Sequence, residues 1–187
     1  MNALPPSISM SALPPPIEQG EPHADARAFR RCLGQFATGV AVMTAQHEGQ
    51  LAGIVVNSFA SLSLDPPLIL WSIRRESASL PLFRRAGRFA VNVLSAEQLA
   101  VSNRFAASRA DKFNDADWSP GRHGAPLLAG CLAHLECRLE QALDGGDHLL
   151  IVGRVERYAR FHGEPLLFTQ GHYAVAQEHP ALSVPAA

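Results

Sequence analysis

Between Asn57 and Pro67 the chain reads N-S-F-A-S-L-S-L-D-P-P. Small hydroxyls (Ser58, Ser61, Ser63) alternate there with apolar residues (Phe59, Leu62, Leu64), following the apolar run Leu51–Val56. A strand that turns from apolar to serine-lined can leave the core and line a polar ligand, and its small side chains let that ligand approach the backbone. The same pattern fits a half-exposed strand whose serines face water. Ser77-Ala78-Ser79, preceded by Arg74-Arg75, offers hydroxyls at a helix start that could hold a phosphate; an ordinary cap with solvated arginines is the plainer reading. His148 stands just after the turn Asp144-Gly145-Gly146-Asp147. A neutral imidazole there could bond a ligand or lie against a ring, or simply end a hairpin at the surface. Asn92 interrupts the apolar stretch Phe89–Leu94, and a buried amide must be satisfied by backbone or by ligand.

Other chemistries lack their residues. Neither GxGxxG nor GxxxxGK occurs, and no serine sits in a nucleophile-elbow motif. None of the eight histidines pairs with another at the helical spacing of a metal site. Cys32, Cys131 and Cys137 form no CxxC pair and leave one odd, which argues against both a disulfide framework and zinc and for a cytoplasmic protein. Glu136 and Glu140 read as solvated carboxylates on the polar face of a strand. Charged residues are 18% of the chain and the formal net charge is −1, so no basic excess exists to displace counterions from nucleic acid. No apolar run is long enough to span a membrane, and no basic-then-apolar leader opens the chain.

The elements that must position these residues follow from periodicity. At 187 residues with 47% hydrophobic content, one domain is expected, over 25–178. A disordered, proline-rich tail would precede it (1–24), and a short tail would follow (179–187). Asp25 can cap a helix with Phe29, Cys32, Leu33 and Phe36 on its apolar face, ending at Thr38-Gly39. Val40–Ala45 and Leu51–Val56 read as a hairpin joined by the loop Gln46–Gln50. Leu68–Ile73 and Arg88–Leu94 read as strands, with a short helix from about Ser79 to Arg85. Ser95 and Gln98 form a capping box opening a helix to about Phe105, and 107–124 is an irregular loop. Cys131–Leu143 alternates with period two and returns as His148–Phe161 through the glycine turn. About six uneven strands with few helices predict a mainly β protein, an antiparallel barrel.

In order along the chain these pieces resemble the short flavin reductase family, the reductase components of two-component flavin monooxygenases. The resemblance runs through Ala37-Thr38-Gly39-Val40, Ser58-Phe59-x-Ser61-Leu62-Ser63-Leu64-Asp65-Pro66-Pro67, Ser77-x-Ser79, Phe89–Leu94, Arg104-Phe105-Ala106, Asp111-Lys112-Phe113, Leu135-Glu136-Cys137, Gly146-Asp147-His148, Gly153-x-Val155 and Pro165–Phe168. It implies a homodimeric FMN-binding split barrel that reduces FMN or FAD with NADH or NADPH and hands the reduced flavin to a partner monooxygenase. Carried onto this sequence, it implies cofactor contacts at Thr38, Asn57, Ser58, Phe59, Ala60, Ser61, Ser72, Ser77, Ser79, Asn92, Phe105, Lys112 and Phe113. The segment Asn57–Ser63 would face the flavin ring, Ser77 and Ser79 the phosphate, and His148 the nicotinamide as the catalytic residue. A non-catalytic flavin- or haem-binding split barrel is the alternative. An oxidase of the pyridoxamine-phosphate type would need a basic phosphate clamp, against which the single lysine, Lys112, argues.

Overall fold

The computed structural model describes residues 15–108 and 111–178. The tail 1–14, the C-terminal tail 179–187 and two residues of the long loop lie outside the described residues. Helix α1 (Ala26–Leu33) is capped by Asp25, whose carboxylate accepts from the backbone N–H groups of Arg27 and Ala28 at 2.8 and 3.0 Å. Gly34 ends it, earlier than the periodicity suggests. Thr38-Gly39 does not terminate the helix but forms a short strand, β1. The apolar stripe of α1 is not buried either: Phe29, Leu33 and Phe36 are exposed.

Strands β2 (Ala41–His47) and β3 (Gln50–Val56) form the expected hairpin. Its loop is only Glu48-Gly49, both at positive φ (48° and 79°), a backbone path whose twist suits a two-residue hairpin. The serine-lined segment becomes β4 (Ala60–Leu64), paired with β5 (Pro67–Arg74). Helix α2 (Leu80–Ala86), β6 (Arg88–Val93), a 3₁₀ turn at Ala96–Gln98 with the predicted capping box, and α3 (Leu99–Ala106) follow. The expected loop 107–124 contains a strand, β7 (Trp118–Pro120), which pairs with β8 (Pro126–Leu128). The long hairpin is β9 (Ala133–Gly145) and β10 (His148–Arg160). The last pair, β11 (Leu166–Thr169) and β12 (His172–Val175), escapes the sequence reading because each is only four residues long. Among the described residues there are thus twelve strands, roughly twice the expected number, but the mainly β antiparallel class stands.

Seven strands form one antiparallel sheet in the order β3-β2-β6-β9-β10-β5-β4, and β1-β11-β12 form a second. β3 and β4 are its unpaired edges, so the barrel is split. Its core gathers Met43, Trp71, Ile73, Phe83, Phe89, Val91 and Ile151. Trp71 meets the rings of Phe83 and Phe89 edge-on at 5.2 and 5.7 Å. A second cluster, with Val42, Leu94, Phe105, Leu128 and Leu166, lies outside the barrel. β2 and the residue before it feed both, Ala41 and Met43 inward and Val40 and Val42 outward, which is why this stretch reads as a continuous apolar run. No helix among the described residues is long and apolar enough to cross a membrane.

The period-two reading of β9 holds, with Leu135, Cys137 and Leu139 all packed in the barrel core. The register against β10 shifts twice, between Val152 and Gly153 and between Val155 and Arg157. Glu136, on the opposite face of β9, is buried and not solvated because the loop between β7 and β8 covers it. Its carboxylate accepts the Arg122 backbone N–H at 2.6 Å and lies 3.9 Å from the Arg157 guanidinium. It serves as a structural tie between β9 and the β7–β8 hairpin.

Candidate active site

A cleft of about 730 Å³ opens where three elements meet. One wall is the β3 backbone at Leu51–Ile54. A second is the end of β5 and the loop after it, with Arg74, Glu76, Ser77, Ala78 and Ser79. The third is the end of α3 with Lys112 and Phe113. Gly53 shapes this meeting: a Cβ there would stand 2.4 Å from Cε1 of Phe105 and 2.9 Å from Cζ of Phe113. Its bare Cα lets those rings close on the strand, Phe105 against Phe113 at 5.1 Å and Phe113 against Trp118 at 6.0 Å. A glycine inside an apolar strand is a mark of close approach, and that signal was present in the sequence.

Of the predicted contacts, Ser77, Ser79, Phe105, Lys112 and Phe113 come together here. Phe105 is fully buried and backs the cleft through packing. Lys112 is held inward: Nζ donates to the carbonyls of Gly53 (3.1 Å) and Phe105 (3.0 Å). Burial pushes its pKa down, since removing an ammonium from water disfavours its charged form. Ser77 Oγ accepts the Ser79 backbone N–H at 3.3 Å, and Ser79 makes no side-chain cap.

The other predicted residues lie elsewhere. Thr38 and Asn57 line a second cavity of about 560 Å³, between α1 and the β11–β12 turn, with Arg27, Arg30, Phe36 and Phe168. Ser58 Oγ accepts the Ser72 N–H at 3.0 Å and reaches the Ser72 carbonyl at 3.4 Å, so these two residues clasp each other. Phe59 packs on the barrel core. Ala60 and Ser61 lie on the exposed edge strand β4, where a bulge at Leu62 breaks the alternation and leaves Leu62 and Leu64 at the surface. Asn92 corrects a sequence expectation. Its side chain is fully buried, its amide donates towards Val42 O, Thr44 Oγ1 and Pro126 O at 3.0–3.3 Å, and its Oδ1 accepts the Leu128 N–H at 2.8 Å. With no exposed surface and contacts to four protein atoms, the amide is closed to a ligand and ties β6 to β2 and β8.

His148 opens β10 and does not line the cleft. It stands directly across from Arg74 of β5, however, and Arg74 does. Directly opposed residues share a face of the sheet with Cβ atoms about 5 Å apart, which places His148 beside the cleft mouth. Nδ1 lies 2.7 Å from Asp147 Oδ1, and this bond lowers the Asp147 pKa. Cys131 and Cys137 are buried and their thiols are pushed up to about 12, chiefly by desolvation, so neither offers a thiolate at neutral pH. Among the described residues no three His, Cys, Asp or Glu side chains are placed to hold a metal ion.

A cleft of this size, walled by hydroxyls, a guanidinium, an aromatic ring and open backbone, fits the chemistry of a phosphorylated aromatic cofactor. Residues 33–177 match the family described as flavin reductase like domain, and the chain belongs to that family. It is 47% identical over 149 residues to the FMN reductase (NADH) SmoA of Agrobacterium fabrum, covering 80% of this chain and 85% of the relative. It is 44% identical over 163 residues to the flavin-dependent monooxygenase reductase subunit HsaB of Rhodococcus jostii, covering 87% and 83%. Among solved structures, nitrilotriacetate monooxygenase component B from Mycobacterium thermoresistibile superposes with TM-score 0.82 at 41% identity, over 89% of this chain and 94% of that one. The NADH:FAD oxidoreductase SgcE6 of Streptomyces globisporus, in complex with NAD and FAD fragments, gives TM-score 0.82 at 36% identity, over 89% and 99%.

Proposed function

We propose that this chain is an NADH-dependent flavin reductase that reduces FMN or FAD and supplies the reduced flavin to a separate flavin-dependent monooxygenase. The observation that carries the reading is the single cleft joining Ser77, Ser79, Arg74, Lys112 and Phe113 to the open β3 backbone, in a chain of the flavin reductase family. When bound side by side, the nicotinamide donates a hydride and the flavin accepts it, so the chemistry belongs to the two cofactors and the protein supplies geometry. The hydroxyls of Ser77 and Ser79 hold the phosphate. Gly53 and Ala52 let the ligand lie close to the β3 backbone, and Phe113 walls one side. Lys112 fixes the cleft by tying β3 to the end of α3. Thr38 and Asn57, which line the second cavity, and Ala60 and Ser61 on the edge strand border the ring end, while Ser58 and Phe59 support it through Ser72 and the barrel core.

His148 orients the nicotinamide. Nδ1 is engaged by Asp147 Oδ1 at 2.7 Å, which leaves Nε2 to meet the dinucleotide. The chain acts as a homodimer in the cytoplasm. The unpaired outer edge of β4, with Leu62 and Leu64 exposed, supports a partner subunit covering that edge and closing the ring end of the site. NADH is the favoured donor and FMN or FAD the acceptor, in keeping with the names of the relatives.

The test is NADH oxidation by purified protein with FMN, FAD or riboflavin added in turn, alongside a molecular mass from light scattering. Flavin-dependent turnover by a dimer is expected. Flavin binding without NADH oxidation would leave only a flavin-binding barrel, and a fully active monomer would remove the second subunit. On the same assay, His148→Ala should lower kcat/KM for NADH about 5- to 30-fold with flavin affinity kept, the loss of one neutral hydrogen bond or ring contact. Unchanged kinetics would return His148 to the role of a surface residue.

A further inference from the structure

We infer that Arg74 is the cation that makes this site select phosphorylated flavins over riboflavin. The inference rests on reading the cleft as the flavin site. Among the described residues two cationic side chains line that cleft, Arg74 and Lys112. Lys112 is half-committed already: Nζ is bonded to two backbone carbonyls and burial disfavours its charge. The neighbouring Arg75 is turned away. Its guanidinium donates to Gly146 O at 2.8 Å and Asp144 Oδ1 at 2.6 Å, pinning the β9–β10 turn to the end of β5. Arg74 is exposed and makes no hydrogen bond or close ion pair among the described residues; the charge it feels is the Asp147 carboxylate, whose pKa is lowered chiefly by His148 and also by Arg74.

Position reinforces this. Arg74 lies three residues before Ser77 and five before Ser79, on the same wall of the cleft, so a phosphate held by those hydroxyls lies within the reach of its side chain. A guanidinium meets phosphate oxygens through two parallel N–H bonds, which a point charge or a hydroxyl cannot reproduce. Glu76, on the same wall, carries the opposing charge; without a cation beside it that wall would repel a dianion. Riboflavin has the same ring and ribityl chain and no phosphate, so it reads the rest of the site without Arg74.

The experiment measures FMN and riboflavin dissociation constants by fluorescence quenching on the full chain. Arg74→Gln should weaken FMN about 10- to 100-fold, as expected for a charge-assisted bond, and change riboflavin less than about 2-fold. Arg74→Lys should recover part of the FMN loss, and Glu76→Gln should tighten FMN slightly. Raising salt should weaken FMN binding to the unmodified chain more than to Arg74→Gln. Lys112→Met tests the other cation: it should lower the melting temperature and leave the FMN-to-riboflavin ratio near that of the unmodified chain. An unchanged ratio in Arg74→Gln, or its loss in Lys112→Met instead, overturns the assignment to Arg74. Failure of the unmodified chain to bind either flavin overturns the reading of the cleft itself.

Discussion

Replacing Asn92 by leucine is expected to destabilise the fold by about 3–5 kcal/mol while leaving the flavin affinity of the remaining folded protein unchanged. Leucine matches the volume but removes three donated contacts, to Val42 O, Thr44 Oγ1 and Pro126 O, and the acceptor of the Leu128 N–H. The Leu128 N–H is the decisive loss. It is buried and has no replacement, and an orphaned buried donor costs about 1–3 kcal/mol on top of the hydrogen bonds forfeited. Pro126 O keeps the Thr44 hydroxyl at 2.6 Å, which limits the damage on that side. For a chain of this size the change corresponds to a fall of roughly 6–20 °C in Tm. Urea unfolding and flavin titration on the same variant check it. A stable variant that had lost flavin affinity would instead make Asn92 a ligand.

Gly53→Ala should damage both the fold and the cleft. The added methyl would lie 2.4 and 2.6 Å from Phe105 ring carbons and 2.9 Å from Phe113. Phe105 cannot swing aside, because it is fully buried against Phe113, which in turn meets Trp118. Overpacking of this kind costs about 1–3 kcal/mol. Relief must come from moving β3 away from α3, which also stretches the Lys112 bonds to Gly53 O and Phe105 O. A loss of flavin affinity of about 10-fold or more is therefore expected, since a cofactor site displaced by a fraction of an ångström loses its contacts together. Denaturant midpoint and FMN titration read the two effects separately. Unaltered flavin affinity in a destabilised variant would show that the β3 wall is not part of the binding surface.

Local patterns made much of the barrel legible. The Asp25 cap, the β2–β3 hairpin, the Ser95–Gln98 capping box and the long hairpin around the glycine turn all rest on contacts between residues near in sequence, and each forms. The four-residue strands β11 and β12 were not legible, because four residues carry too few alternations to separate a strand from a loop. Nor was the burial of Glu136, since its cover is the loop between β7 and β8, which meets β9 only in the folded chain.

For the site, the sequence by itself determined the residue types: hydroxyls at Ser77 and Ser79, two adjacent arginines, one lysine, a glycine inside β3, and a histidine after a tight turn. Tertiary structure decided which of them are available. Arg74 and Arg75 look alike in sequence, yet Arg75 is consumed by a turn 69–71 residues away, at Asp144 and Gly146, while Arg74 faces the cleft. Lys112 is drawn to two carbonyls, and the Asn92 amide is filled by β2 and β8. His148 approaches the cleft only because β10 pairs with β5 in one register. Hydrogen-bond capacity is finite, and long-range pairing settles where it is spent; periodicity reports which residues could serve a ligand, and only the packed chain shows which are still free to do so.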